Sequence, residues 1–177
     1  MRVRLAILPP PLEPELVALL LGSLPPPLEA GAPSMLEVDV ERLRDPIRNQ
    51  VDAALLLDQL PAPGPRELLL ALTGRDLFLS ALTYVFGVSR LGERRGLLSW
   101  FRLEAERPLF GRRLVIEATH ELGHALGLVH CPVGDCAMHR TLWPEGIELK
   151  RPAYCPTCLE SARRLAGWPA RGLDRAG

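Results

Sequence analysis

Residues 120–131 read His-Glu-Leu-Gly-His-Ala-Leu-Gly-Leu-Val-His-Cys, the pattern H-E-x-x-H-x-x-G-x-x-H closed by a cysteine. Residues four apart on a helix project from one face about one turn from each other, so His120 and His124 can offer two ring nitrogens to one ion. Glu121 stands on the neighbouring face, where a carboxylate can hold a water at the metal without ligating it. Gly127 can take a positive φ and end the helix, turning the chain so that His130 brings a third nitrogen. Three neutral nitrogens leave one tetrahedral position open, which is the design of a catalytic zinc site and not of a closed structural one. Cobalt or nickel would also bind three imidazoles, but zinc suits the tetrahedron best. A lone His-Glu-x-x-His often occurs on a plain exposed helix face. Gly127, His130 and, further on, Met138 at their offsets separate this stretch from that bland reading.

All four cysteines lie between 131 and 158, as Cys131-x4-Cys136 and Cys155-x2-Cys158. No export signal precedes them, so metal thiolates are the better reading than disulfides. Four thiolates at such spacings form a closed structural zinc site. Cys131 adjoins His130, so this second ion would fix the backbone carrying the third ligand of the first. The chain beyond residue 131 has few large apolar residues, and metal would supply much of its stability.

The whole string, H-E-x-x-H-x-x-G-x-x-H-C-x4-C-x-M followed by C-x-x-C, resembles the archaemetzincin branch of the metzincin metallopeptidases. The likeness runs from His120 to Cys158 and extends weakly back through Asp76-Leu77-Phe78 and Tyr84-Val85-Phe86-Gly87. The loop between Met138 and the last cysteine pair is one residue shorter than the family's pattern. The resemblance implies a metzincin-like α/β (α+β) fold, with a mixed twisted sheet and helices above a cleft and a small zinc-stabilised lower subdomain. One domain would span residues 1–177, with residues 1–130 as its upper subdomain and residues 131–177 as its lower one. Met138 would form a floor beneath the metal without touching it, and the strand around Tyr84-Val85-Phe86 would be an antiparallel edge over the cleft. The implied function is a zinc metallopeptidase that hydrolyses peptides with zinc-activated water and Glu121 as general base. Two zinc ions are expected, one catalytic (His120, His124, His130) and one structural (Cys131, Cys136, Cys155, Cys158). The rival is a non-catalytic zinc protein of the same fold that binds peptides or partners. The intact Glu121 and the open coordination favour the enzyme.

Composition bounds the remaining classes. At 177 residues the chain fits one domain with a real core. A net charge of zero provides no global field towards nucleic acid or an anionic membrane. Nucleic-acid binding by the cysteine unit would have only Lys150-Arg151 as a local basic pair. No apolar run reaches the roughly 18–20 residues of a membrane span. Leu5 to Leu8 is too short for a signal-peptide core, so a cytoplasmic monomer is expected. Lys150 is the only lysine among 21 basic residues, and Asn49 the only asparagine. That bias fits both a hot habitat and a GC-rich genome.

Along the chain, residues 2–8 suggest a strand, 15–24 a helix and 35–40 a second strand. Asp45-Pro46 looks like a helix start, with Ile47, Val51, Ala54 and Leu55 on one face up to Pro61. Leu68 to Leu72 is short enough for a buried strand yet leucine-rich enough for a helix. Residues 83–88 and 97–103 read as neighbouring strands joined by a turn at 92–96. Residues 114–126 form the active-site helix and 156–166 a last short one, and 171–177 should fray. Glu117 is expected to pair with Arg113, four residues back, and His139 to be a surface group.

Overall fold

The structure, a computed structural model, describes residues 1–167. In chain order it runs β1 (Arg2–Ile7), α1 (Pro14–Gly22), β2 (Glu29–Ala30), β3 (Ser34–Met35), a 3-10 turn (Val40–Leu43), β4 (Arg44–Asp45), β5 (Gln50–Asp52) and α2 (Ala53–Gln59). It continues with β6 (Glu67–Thr73), β7 (Leu77–Leu79), β8 (Leu82–Val85), β9 (Gly87–Ser89), β10 (Arg95–Ser99), α3 (Arg107–Leu126), α4 (Pro144–Ile147) and α5 (Pro156–Leu165). No helix among the described residues is long and apolar enough to cross a membrane.

The run Leu68-Leu69-Leu70-Ala71-Leu72 lies at the centre of the main sheet, whose order is β2-β1-β6-β10-β9. β1 and β10 flank β6 in parallel, with Leu5 opposite Leu70 and Leu70 opposite Gly96. A parallel strand is covered on both faces and therefore reads as a continuous apolar run, not as an alternation. Leu68, Leu70 and Leu72 enter the core built with α1 and α3. Leu69 and Ala71 enter a second core built with α2. Each leucine so buried contributes roughly 1.5–3 kcal/mol. The ambiguity over this run is thus resolved as a strand. β9 closes the main sheet as its one antiparallel member, with Leu97 opposite Val88. A smaller sheet, β4-β5-β7-β8, carries the chain from the far side towards the same rim.

Five expected elements differ. Asp45 starts no helix: its Oδ1 accepts hydrogen bonds from the Ile47 and Arg48 amides at 2.8 and 2.9 Å, closing a turn between β4 and β5. Asn49 takes a positive φ in that turn, and Ile47 is exposed. The true cap is Asp52, which accepts from Ala54 and Leu55, so the helix is only α2. The strand expected over 35–40 survives only as β3, and the one over 97–103 stops at Ser99, where Leu103 turns back onto the Trp100 carbonyl. The strand over 83–88 is split at Phe86 into β8 and β9, which pair into different sheets, with β7 and with β10. α3 begins two turns before Leu114, with Pro108 in its first turn where the missing N–H costs nothing. The expectation for 171–177 lies outside the described residues.

Candidate active site and metal centres

α3 packs against β6, β9 and β10 and ends at Gly127 with φ 116°. The Gly127 and Leu128 amides cap the Gly123 carbonyl at 3.1 and 2.8 Å, and the Gly92 amide in the β9–β10 turn reaches the His124 carbonyl at 3.0 Å. The left-handed cap swings the chain back and delivers His130 beside the helix. One ring nitrogen from each of His120, His124 and His130 then lies within 4.8 Å of the others.

The outer shell settles which nitrogens are available. His120 Nδ1 donates to the Ala137 carbonyl at 2.8 Å, and His124 Nδ1 donates to the Leu128 carbonyl at 2.7 Å. Both Nε2 atoms then carry lone pairs, and they face each other at 3.0 Å. Two lone pairs at that distance repel unless a cation sits between them. Zinc at about 2.0–2.1 Å from each would set tetrahedral nitrogens about 3.3 Å apart, so these residues fit the ion. Burial holds the His120 imidazole well below its ordinary pKa, with the His124 charge adding to the effect. Burial, and after it the positive charge of Arg140, push His130 down as well. Neutral imidazoles are the form that ligates.

Glu121 is buried in a slot against β9. Ser89 Oγ lies 2.7 Å from Glu121 Oε2 and 3.0 Å from the Glu121 carbonyl, and its hydroxyl can donate its one proton to the carboxylate. Burial pushes the Glu121 pKa up to about 8. The slot exists because residue 87 is glycine: a Cβ there would lie 2.7 Å from Glu121 Cδ and 2.6 Å from the Leu97 carbonyl. Gly87→Ala should therefore cost about 1–3 kcal/mol by overpacking. Urea denaturation would read that loss, and unchanged stability would mean that Glu121 leaves the slot freely.

Met138 is fully buried beneath the helix, its sulfur where a Cβ on Gly123 would be. The same loop supplies the Ala137 carbonyl that orients His120, and the Met138 carbonyl accepts from the Cys131 amide at 2.9 Å. The four cysteine sulfurs lie within 4.8 Å of one another, and none is in a disulfide. Cys131 and Cys155 sulfurs are 3.8 Å apart, close to the roughly 3.8 Å edge of a tetrahedron with Zn–S of about 2.3 Å. The Cys155 amide donates to Cys136 Sγ at 3.3 Å, as it would to a thiolate.

Two partners differ from expectation. Glu117 pairs not with Arg113 but with Lys150, at 2.7 Å and almost wholly buried, while Arg113 pairs with Glu148. The helix spacing was right for a local pair, but chain returning from residues 148–150 competes for both side chains. His139 is half-buried, and its Nδ1 lies 3.0 Å from the Cys131 carbonyl.

The cleft runs between the β8–β9 rim and residues 140–142, with the histidines, Glu117 and Glu121 at its base. Tyr84 donates its hydroxyl to the Leu142 carbonyl at 2.7 Å across it. β8 and β9 each end their sheet, paired only with β7 and β10. Ser89, Arg140 and Lys150 carry no motif that marks them in sequence. Lys150 alone had a signal, as the single lysine where every other basic residue is arginine.

Known proteins are similar to this chain in sequence and in fold. The family model described as peptidase family M54 matches residues 65–164. An archaemetzincin of Archaeoglobus fulgidus is 34% identical over 149 residues, covering 83% of this chain and 91% of the relative. One of Methanopyrus kandleri is 38% identical over 120 residues, covering 67% and 69%. The crystal structure of the A. fulgidus archaemetzincin, complexed with malonate, has a TM-score of 0.80 at 30% identity, covering 92% of this chain and 99% of that one. The M. kandleri archaemetzincin structure has a TM-score of 0.83 at 29% identity, covering 94% and 96%. Its fold and more than half its length thus agree on one lineage: the chain belongs to peptidase family M54, the archaemetzincins, and is a zinc metallopeptidase.

Proposed function

We propose that His120, His124 and His130 hold the catalytic zinc, that Glu121 is the general base, and that Cys131, Cys136, Cys155 and Cys158 hold a second, structural zinc. The observation carrying this reading is the pair of proton-free Nε2 atoms facing each other at 3.0 Å in the cleft that Glu121 also lines. Zinc, when bound, supplies a Lewis acid that acidifies water and polarises a peptide carbonyl. Glu121 takes a proton from the attacking water and returns it to the leaving amine. Ser89 and the slot at Gly87 hold the carboxylate towards the cleft, while the Ala137 carbonyl keeps His120 in one tautomer.

An extended peptide carries unpaired backbone groups and can add to the free rim of β8 and β9 as one more strand. We infer that it runs antiparallel to that rim. The chain to residue 130 then forms the upper wall, and the chain from residue 131 the floor, of one metallopeptidase unit. Hydrolysis of internally quenched peptides by zinc-loaded protein tests this reading, and binding without cleavage would sink it. Two zinc ions per chain are expected by elemental analysis. A value near one in fully reconstituted protein would reject the separate cysteine site.

A further inference from the structure

Residues 138–142 are pinned at both ends. The Met138 carbonyl is held by the Cys131 amide, and the Leu142 carbonyl by the Tyr84 hydroxyl. Tyr84 is itself fixed, because the Arg102 guanidinium lies 4.1 Å over its ring and Asp76 grips Arg102 through bonds of 2.7 and 2.6 Å. Arg140 projects from between the two anchors. It lines the same cleft as His120, His124 and His130. Arg102, stacked on Tyr84, is neutralised by Asp76, whereas Arg140 has no ion-pair partner among the described residues.

The position of Arg140 gives this charge a direction. A peptide antiparallel to β8 and β9 points its C-terminal end from Ser89 towards Leu82. Glu121 sits against Gly87 and Ser89, so the cleaved bond lies there. The segment from Arg140 to Leu142, meeting Tyr84, lies further on, along the leaving portion. We propose that Arg140 makes this cleft select peptides placing a carboxylate just C-terminal to the cleaved bond, either an Asp or Glu side chain or the peptide's own terminal carboxylate. A guanidinium binds a carboxylate through paired, charge-assisted hydrogen bonds, and an extended peptide overhead removes some of the water that screens them. The inference rests on the proposed peptide orientation and names the substrate class of that site.

The test uses two pairs of quenched peptides of one sequence, with cleavage sites read by mass spectrometry. One pair carries Glu or Gln directly after the cleaved bond in a long, amidated chain. The other ends at that Gln, as free acid or as amide. In the zinc-loaded enzyme, kcat/KM should favour the carboxylate member of at least one pair by roughly five- to tenfold. The pair that responds identifies the source. Arg140→Lys should keep some of that ratio, and Arg140→Glu should bring it to one or below with zinc content equal to wild type. Ratios near one in both wild-type pairs, or a ratio that survives Arg140→Glu, overturn the proposal. The same pairs titrated by fluorescence anisotropy onto Glu121→Ala protein, with and without Arg140→Glu, read selectivity apart from turnover. A persistent binding ratio with no cleavage by the wild type would refute the catalytic assignment and leave Arg140's role standing.

Discussion

Glu121→Gln should yield a folded, zinc-loaded protein whose kcat is lower by about 10²–10⁴-fold, the usual effect of a lost general acid–base group. Glutamine fills the slot formed at Gly87 and can still meet Ser89, so the fold and the three histidines are undisturbed. What it cannot do is take a proton from water. KM should change little, because glutamine keeps the carboxylate's shape against β9 and its contact with Ser89, leaving the rim that would hold the peptide unaltered. Stopped assays with matched zinc analysis separate the outcomes. Retained metal with lost turnover supports the base. Loss of metal together with turnover would make Glu121 a ligand, contrary to the geometry.

The second large effect is on stability. Lys150→Met should destabilise the protein by about 3–5 kcal/mol, since it strands a buried carboxylate without its counter-charge. The Lys150 side chain is 1% exposed and that of Glu117 is 5% exposed, so solvent cannot replace the lost partner. Burial already pushes the Glu117 pKa up, and the Lys150 ammonium opposes this. The double variant Glu117→Leu/Lys150→Met should regain most of the loss, because apolar side chains of similar volume carry no desolvation penalty. Urea melts of the four proteins close the cycle. A single variant within about 1 kcal/mol of wild type would show that water reaches Glu117 after all.

The site was far more legible in sequence than the fold's connections. His120, His124 and His130 come together because spacing on a helix and a glycine cap dictate where side chains go, and the four cysteines because they fall in two close pairs with none elsewhere in the chain. The leucine run of β6 was ambiguous alone, since periodicity vanishes when both faces are buried, and only its neighbours β1 and β10 decide it. Residues 45–59 held two aspartates able to cap a helix, Asp45 and Asp52. Asp45 is consumed by its own turn, a competition that local propensity does not resolve. Glu117 illustrates the same limit at longer range: its neighbour four residues back was a sound partner until Lys150, 33 residues on, arrived with a better one. Ser89 and Arg140 became visible only when the rims of the cleft were brought together.

His130 and Cys131 share a peptide bond, and the Met138 loop that orients His120 also holds the Cys131 amide. In the two-ion reading, neither site can rearrange its backbone alone, so their affinities are linked. Linkage is reciprocal: whatever factor the cysteine-bound ion adds to metal affinity at the histidines, the histidine-bound ion returns to the cysteines. Oxidation of a single cysteine would then be felt in the cleft without touching a catalytic residue.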